Sequence, residues 1–173
     1  AAKVSSERIR DELNRILLNE NTVKALEELS DLELLHEILP ELQEMKGCPQ
    51  PPEYHQEGDV WDHSIKVYQA LKKDAPLNLR WAALLHDIGK PKTLEFKERI
   101  RTDGHCEIGA EIARKMLNRL KMPRKSVDEI CWIIAHHMMI IPLMEMPIGR
   151  RRHWFLDPRF PHLLELFRID ASG

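Results

Sequence analysis

Leu77-Asn-Leu-Arg-Trp81-Ala-Ala-Leu-Leu85-His86-Asp87-Ile-Gly89-Lys90-Pro91 is the stretch on which the fold turns. Pro76 stands just before it, where proline suits the first turn of a helix. Leu77, Trp81, Leu84 and Leu85 recur at helical spacing and form one apolar stripe, so this segment is expected to be a helix facing a core. The stripe runs into His86–Asp87 and stops at Gly89, with Pro91 beyond, which is a helix-stop pattern. A helix terminus lets two adjacent polar side chains converge on one point at the edge of a core.

The helical period continues on both sides. Asp59 is placed to cap a helix through Leu71, on which His63 shares a face with Val67 and Leu71. Downstream, Thr93–Thr102 alternates and predicts a small hairpin, and helices follow at about His105–Leu120 and Ser126–Ile140. Ser126-Val-Asp-Glu129 reads as the capping box of the second. A last helix starts near Pro161 and puts Asp170 on the face of Leu163 and Phe167. Upstream, Ser5–Ser6 caps a helix carrying Ile9, Leu13, Ile16 and Leu17. Val23–Leu29 and Leu32–Leu39 read as two short helices, with Asp31 capping the second and Pro40 ending it. Gly47–Gly58 contains Pro49, Pro51 and Pro52 and cannot be helical. It divides a helical segment, residues 1–47, from a main domain, residues 58–173. The expected class is all-α.

Composition sets the outer bounds. Of 173 residues, 43% are hydrophobic and 31% charged, a globular balance that excludes a disordered chain. Cys48, Cys106 and Cys131 show neither a disulfide framework nor C-x-x-C spacing, which points to a reducing, cytoplasmic setting. The polar N-terminus argues against a signal peptide. The most apolar stretch, Met138–Met144, is interrupted by Pro142, so no membrane partner is expected. Net charge is −2, so no global basic field announces nucleic acid, although basic clusters lie at Lys90–Arg101, Lys121–Lys125 and Arg150–His153. Beside a phosphate-handling site, Arg150, Arg151 and Arg152 are candidates for contacts to RNA or phosphate. Aromatic residues make up only 6%, too few for an array of base-stacking platforms.

The chemistry-bearing signal is a set of histidines and aspartates where helix patterns would put core residues. A carboxylate on an apolar face costs several kcal/mol unless it is paired or ligates a cation. Each residue alone has a plain structural reading: an inward histidine as a satisfied core residue, Asp170 as a salt-bridge partner of Arg168 or Arg80, Lys90 as a solvated helix-terminal lysine. The joint pattern of His63, His86–Asp87 and Asp170 is what points to a metal. Imidazole with carboxylate suits Zn, Mn, Fe, Co or Ni better than Ca.

With Leu84-Leu85-His86-Asp87-Ile88-Gly89-Lys90 between His63 and Asp170, residues 58–173 resemble the HD superfamily of metal-dependent phosphohydrolases. The resemblance implies a helical bundle in which His63, His86, Asp87 and Asp170 hold a divalent ion (Ni, Mn, Co, Zn, Fe or Mg). The ion's chemistry would be activation of water for attack on a phosphate ester. Asp87 would both ligate and orient the water, and Lys90 would counter phosphate charge. His105, His136 and His137 stand where some such proteins have a second metal or a phosphate contact. His137 continues the Val127–Ile130–Ile134 stripe, and the resemblance slightly favours His136. His36, His55, His153 and His162 read as structural or surface residues.

A narrower likeness covers nearly the whole chain. Ser6-Glu7-Arg8-Ile9-Arg10-Asp11-Glu12-Leu13, Leu39-Pro40-Glu41-Leu42, Pro49-Gln50-Pro51-Pro52-Glu53-Tyr54-His55 and Glu57-Gly58-Asp59-Val60-Trp61-Asp62-His63 resemble the neck of bacterial tRNA nucleotidyltransferases and poly(A) polymerases. Gly104-His105 with Gly109-Ala110-Glu111-Ile112-Ala113 fits the HD domain that follows that neck. The likeness implies tRNA or a nucleotide as partner and a nucleotidyltransferase head in a longer parent chain. That head's Gly-Ser turn and D-x-D pair are absent, so nucleotide addition is not expected of these residues. The chain also lacks an initial Met and reads either as a fragment of a longer polypeptide or as a relative that keeps only the neck and HD parts. The expectation is a phosphohydrolase acting on 2′,3′-cyclic or terminal phosphates. The competing one is a non-catalytic tRNA-binding module, with Trp154 and Phe155 beside Met138–Met146 available for self-association or for closing the core.

Overall fold

The computed structural model describes residues 4–51 and 58–171. Its helices are α1 (Ser6–Leu17), α2 (Thr22–Asp31), α3 (Leu34–Ile38), α4 (Pro40–Gln43), α5 (Val60–Gln69), α6 (Leu77–Leu85), α7 (Lys90–Thr93), α8 (His105–Arg119), α9 (Arg124–His136), α10 (Ile140–Glu145), α11 (Ile148–Phe155) and α12 (Phe160–Asp170). The only strands among the described residues are β1 (Glu95–Phe96) and β2 (Ile100–Arg101), an antiparallel hairpin pairing Glu95 with Arg101 and Phe96 with Ile100. The all-α expectation and the hairpin in Thr93–Thr102 therefore both hold.

α6 lies at the centre. Leu79, Arg80, Trp81, Ala82, Ala83, Leu84 and Leu85 are all buried, so α6 is covered on every side rather than along one stripe. It packs against α1, α5, α9 and α12. One continuous apolar core joins Leu13, Leu17, Leu26, Leu35 and Leu42 of the first helices to Val67, Leu84, Met116, Ile130 and Leu166. Polar ties reinforce it. Trp81 Nε1 donates to Asn14 Oδ1 at 2.9 Å, and Tyr68 Oη donates to the Leu17 carbonyl. Buried Arg80 is spread over the carbonyls of Leu17 (3.1 Å), Lys73 (2.6 Å) and Ala75 (2.9 Å). It is therefore no partner for Asp170.

Several boundaries differ from expectation. Asp31 ends α2 instead of capping α3, which is entered through Glu33 in the left-handed region. Pro40 opens α4 at its first turn. α9 begins at Arg124 behind Pro123, so Ser126 is already inside the helix and makes no cap. Ser5 and Asp59 do cap, accepting from Arg8 N (3.4 Å) and Asp62 N (2.9 Å). α11 was not anticipated. Arg124–Glu145 is long and apolar enough, by length and composition, to cross a membrane. Here it is broken by a 3₁₀ turn (His137–Met139), and Ile130, Ile133, Ile134, Ile140 and Leu143 are sunk in the core. Part of the irregular stretch, including Pro52-Glu53-Tyr54-His55, lies outside the described residues.

Gly89 has a different role from the one its position suggests. Its backbone is right-handed, so it is not a left-handed helix stop. A Cβ there would lie 2.1 Å from the His105 carbonyl and 2.6 Å from Gly109 N. The absent side chain lets the turn after α6 lie directly on α8, which brings His105 to Asp87.

Candidate metal centre

The carboxyl ends of three helices converge on Asp87: His86 is the C-cap of α6, His137 that of α9, and Asp170 the last residue of α12. Helix C-termini carry partial negative charge and favour a cation. His63 enters from the middle of α5 and His105 from the start of α8.

On one side, Asp87 Oδ2 lies 3.2 Å from His86 Nε2 and 3.7 Å from His63 Nε2. Asp170 Oδ1 lies 2.9 Å from His63 Nε2 and 3.6 Å from His86 Nε2. On the other side, Asp87 Oδ1 lies 3.4 Å from His105 Nε2 and 3.7 Å from His137 Nε2. Asp87 thus divides its two oxygens between two sets of imidazoles. His63, His86, Asp87 and His137 are no more than 2% exposed.

Hydrogen bonding sets the tautomers. A carbonyl only accepts, so Nδ1 carries the hydrogen in His86 (to Ala83 O, 2.9 Å), His105 (to Thr102 O, 2.8 Å) and His137 (to Ile134 O, 2.8 Å). As neutral rings all three turn a bare Nε2 inward, which is the state and orientation of a metal ligand. His86 Nε2 is fully buried and makes no aligned hydrogen bond despite its short approach to Asp87. An orphaned buried nitrogen between carboxylates is a place for a cation.

The field is consistent with this. Burial alone would lower the His86 pKa, but Asp87 and Asp170 push it up to about 10, so the pocket attracts positive charge. Burial would raise both acids, yet His86 with Lys90 holds Asp87 well below the carboxylate range, and His63 with His86 holds Asp170 far down. Burial, with the charge of His86, lowers His137 to about 4, so it stays neutral. The donor set fits a divalent cation: imidazole nitrogens and carboxylate oxygens, desolvated and already net negative.

The remaining candidates separate cleanly. Lys90 is buried rather than solvated, and its Nζ lies 2.6 Å from both Asp87 Oδ2 and Gln50 Oε1. His136 turns away: its Nδ1 meets Trp132 O at 2.7 Å and its ring packs between Trp132 and Trp154. The preference for His136 is thus reversed in favour of His137, which continues the buried Val127–Ile130–Ile134 stripe. Arg151 is committed to the carbonyls of Met144 and Met146, while Arg150 and Arg152 are exposed on α11. Arg168 pairs with Glu165, leaving Asp170 to the histidines. Two residues went unnoticed in the sequence. Gln50 sits in a proline-rich loop with no pattern to reveal it; Cys106 was legible as the neighbour of His105.

The chain belongs to the HD-domain family: the model described as "HD domain" matches residues 60–161, more than half of it. Residues 2–46 match a second model, "Probable RNA and SrmB- binding site of polymerase A". Among similar proteins, the A-adding tRNA nucleotidyltransferase of Deinococcus radiodurans is 36% identical over 96% of this chain and 39% of its own length. The CC-adding tRNA nucleotidyltransferase of Thermus thermophilus is 38% identical over 96% of this chain and 40% of its own length. The Multifunctional CCA protein of Halorhodospira halophila is 35% identical over 83% and 34% respectively. The chain therefore spans about two fifths of the length of the relatives it matches and is related to tRNA nucleotidyltransferases.

Proposed function

We propose that this chain is a divalent-metal-dependent phosphohydrolase acting on 2′,3′-cyclic or terminal phosphates of nucleotides or tRNA. The observation that carries the reading is the buried set of His63, His86, Asp87 and Asp170, with Nε2 of His86 orphaned between two carboxylates. Those four residues would hold the ion. A bound divalent ion supplies acidified water and neutralises phosphate charge. The chain's own groups do the rest. Asp87 would both help to hold the ion and orient the nucleophile. Lys90, buried with its Nζ between Gln50 and Asp87, would counter phosphate charge beside the ion. The carbonyls of Ala83, Thr102 and Ile134 keep three imidazoles in one tautomer. His105 and His137, across Asp87, provide a second donor set or a phosphate contact.

The two-part organisation, residues 1–47 and 58–173, is part of this reading, with the first part contributing RNA contacts. So are tRNA as substrate, a nucleotidyltransferase head elsewhere in a longer parent chain, and a cytoplasmic location. The names of the relatives and the match of residues 2–46 support them. The same names favour one rival: a tRNA-holding module without hydrolysis. Met138, Ile141, Met144, Ile148, Phe155 and Leu156 are exposed around α10 and α11 and offer a surface for a homo-oligomer.

The test is turnover of 2′,3′-cyclic AMP with chelator and with added Ni, Mn or Co, using Asp87→Ala as control. Metal-dependent turnover lost in the variant, with helical circular dichroism intact, is the expected result. No turnover with any metal from folded protein would leave the tRNA-holding rival.

A further inference from the structure

We propose that Gln50 is a positioning residue that draws Lys90 away from Asp87 Oδ2 and so sets how tightly the centre holds a divalent ion. This rests on the reading that His63, His86, Asp87 and Asp170 take that ion. It adds a residue outside the ligand set that governs access to one ligand atom.

Asp87 Oδ2 has two claimants. It faces His86 Nε2 at 3.2 Å and His63 Nε2 at 3.7 Å, while Lys90 Nζ approaches it to 2.6 Å. An ion taken up among those imidazoles would use the oxygen that the ammonium already holds. Both side chains are buried, Lys90 at 7% exposure and Asp87 at 2%, so repulsion between the two cations is poorly screened. They share the oxygen only if the ammonium has another acceptor to lean on, because a buried ammonium left without one is costly.

Gln50 supplies that acceptor. Among the described residues, its Oε1, at 2.6 Å, is the one side-chain partner of Lys90 Nζ other than Asp87. A carboxylate in its place would take the ammonium outright, and an apolar group would leave it wholly to Asp87. The neutral amide divides it between the two.

The amide is itself fixed. Its Nε2 donates to Asp59 O at 3.2 Å, and the same carbonyl accepts from His63 N at 3.1 Å in the first turn of α5. A carbonyl only accepts and an ammonium only donates, so both contacts demand the same amide orientation. The preceding backbone is pinned to that turn as well: Gly47 N donates to Asp59 Oδ2, and Val60 N donates to Cys48 O at 3.0 Å. Gln50 is 6% exposed, so water does not replace its contacts.

Mn(II) affinity of the full chain, measured by equilibrium dialysis with helical circular dichroism as the check on folding, tests this. Gln50→Met keeps the length and removes the acceptor, so affinity should fall about tenfold or more, the worth of one hydrogen bond to a charged group. Lys90→Met removes the competing cation and should bind more tightly than wild type. Adding Gln50→Met to Lys90→Met should change nothing further. Gln50→Glu loses the tie to Asp59 but keeps the acceptor, and should bind at least as tightly as wild type. A purely structural Gln50 would instead lower affinity equally in both Lys90 backgrounds, and in Gln50→Glu as in Gln50→Met. That pattern, or Lys90→Met binding no tighter than wild type, overturns the proposal but spares the ligand set. Should Gln50→Met fail to fold, Lys90→Met and Gln50→Glu decide by the same criteria. No bound metal in wild type overturns both readings.

Discussion

The first four helices and the centre around Asp87 share one core but use burial in opposite ways. In the N-terminal segment, Leu13, Leu17, Leu26, Leu35, Leu39, Leu42 and Met45 are buried beside satisfied groups such as Thr22, whose hydroxyl donates to the carbonyls of Ile16 and Asn19. At the centre the same depth holds His63, His86, Asp87, Lys90 and His137. Apolar burial contributes about 1.5–3 kcal/mol per large side chain, whereas a buried charge costs several kcal/mol unless it is matched. One region spends its depth on stability and the other on holding donors out of water. The contrast separates what keeps the protein folded from what gives it chemistry.

Asp87→Asn should break the comparison most completely. It keeps the shape but removes the charge shared by both donor sets. Bound metal should fall to none by equilibrium dialysis, and the stabilisation that metal gives wild type, about 2.7 kcal/mol at one hundred times Kd, should vanish. Helical circular dichroism should persist. In the opposite direction, Leu17→Ala should cost about 2–5 kcal/mol in denaturant unfolding, with metal stoichiometry unchanged in the folded protein. A parallel loss of metal would show that the two regions are not separable. Gly89→Ala joins the two effects. Its Cβ meets the His105 carbonyl, so about 1–3 kcal/mol of strain should appear together with weaker binding on the His105 side than on the His63 side. Arg119→Ala should do least. Its bidentate pair with Glu41, 2.6 and 2.8 Å, links α8 to the N-terminal segment, but Arg119 is 45% exposed, so less than about 1 kcal/mol is expected, shrinking with salt.

How much was legible in the sequence follows the same line. Helical class and the α5 and α6 helices are local properties: a 3.6-residue period, a cap and an adjacent pair at a helix end; the convergence of His63, His86, Asp87 and Asp170 joins distant residues and is legible only through the family resemblance. The choice between His136 and His137 was local. The buried stripe of Val127, Ile130 and Ile134 already points His137 inward; the preference for His136 rested on the resemblance, and the structure follows the stripe. The role of Gly89 was hidden because the backbone it must clear, His105 to Gly109, lies on another helix. Gln50 was hidden because a loop has no period, and its partner Lys90 is forty residues away.

Mechanically, Arg80 is a strut. Leu17, the last residue of α1, is gripped through its carbonyl by both Arg80 and Tyr68, and Arg80 sits on the helix whose final residue precedes His86. A load applied to α1 is therefore delivered along α6, a rigid rod of about 13 Å at 1.5 Å per residue, with little slack in the joint. Its far end is the imidazole of His86, so tension on the first helix would be felt as a change of aim at the candidate metal centre.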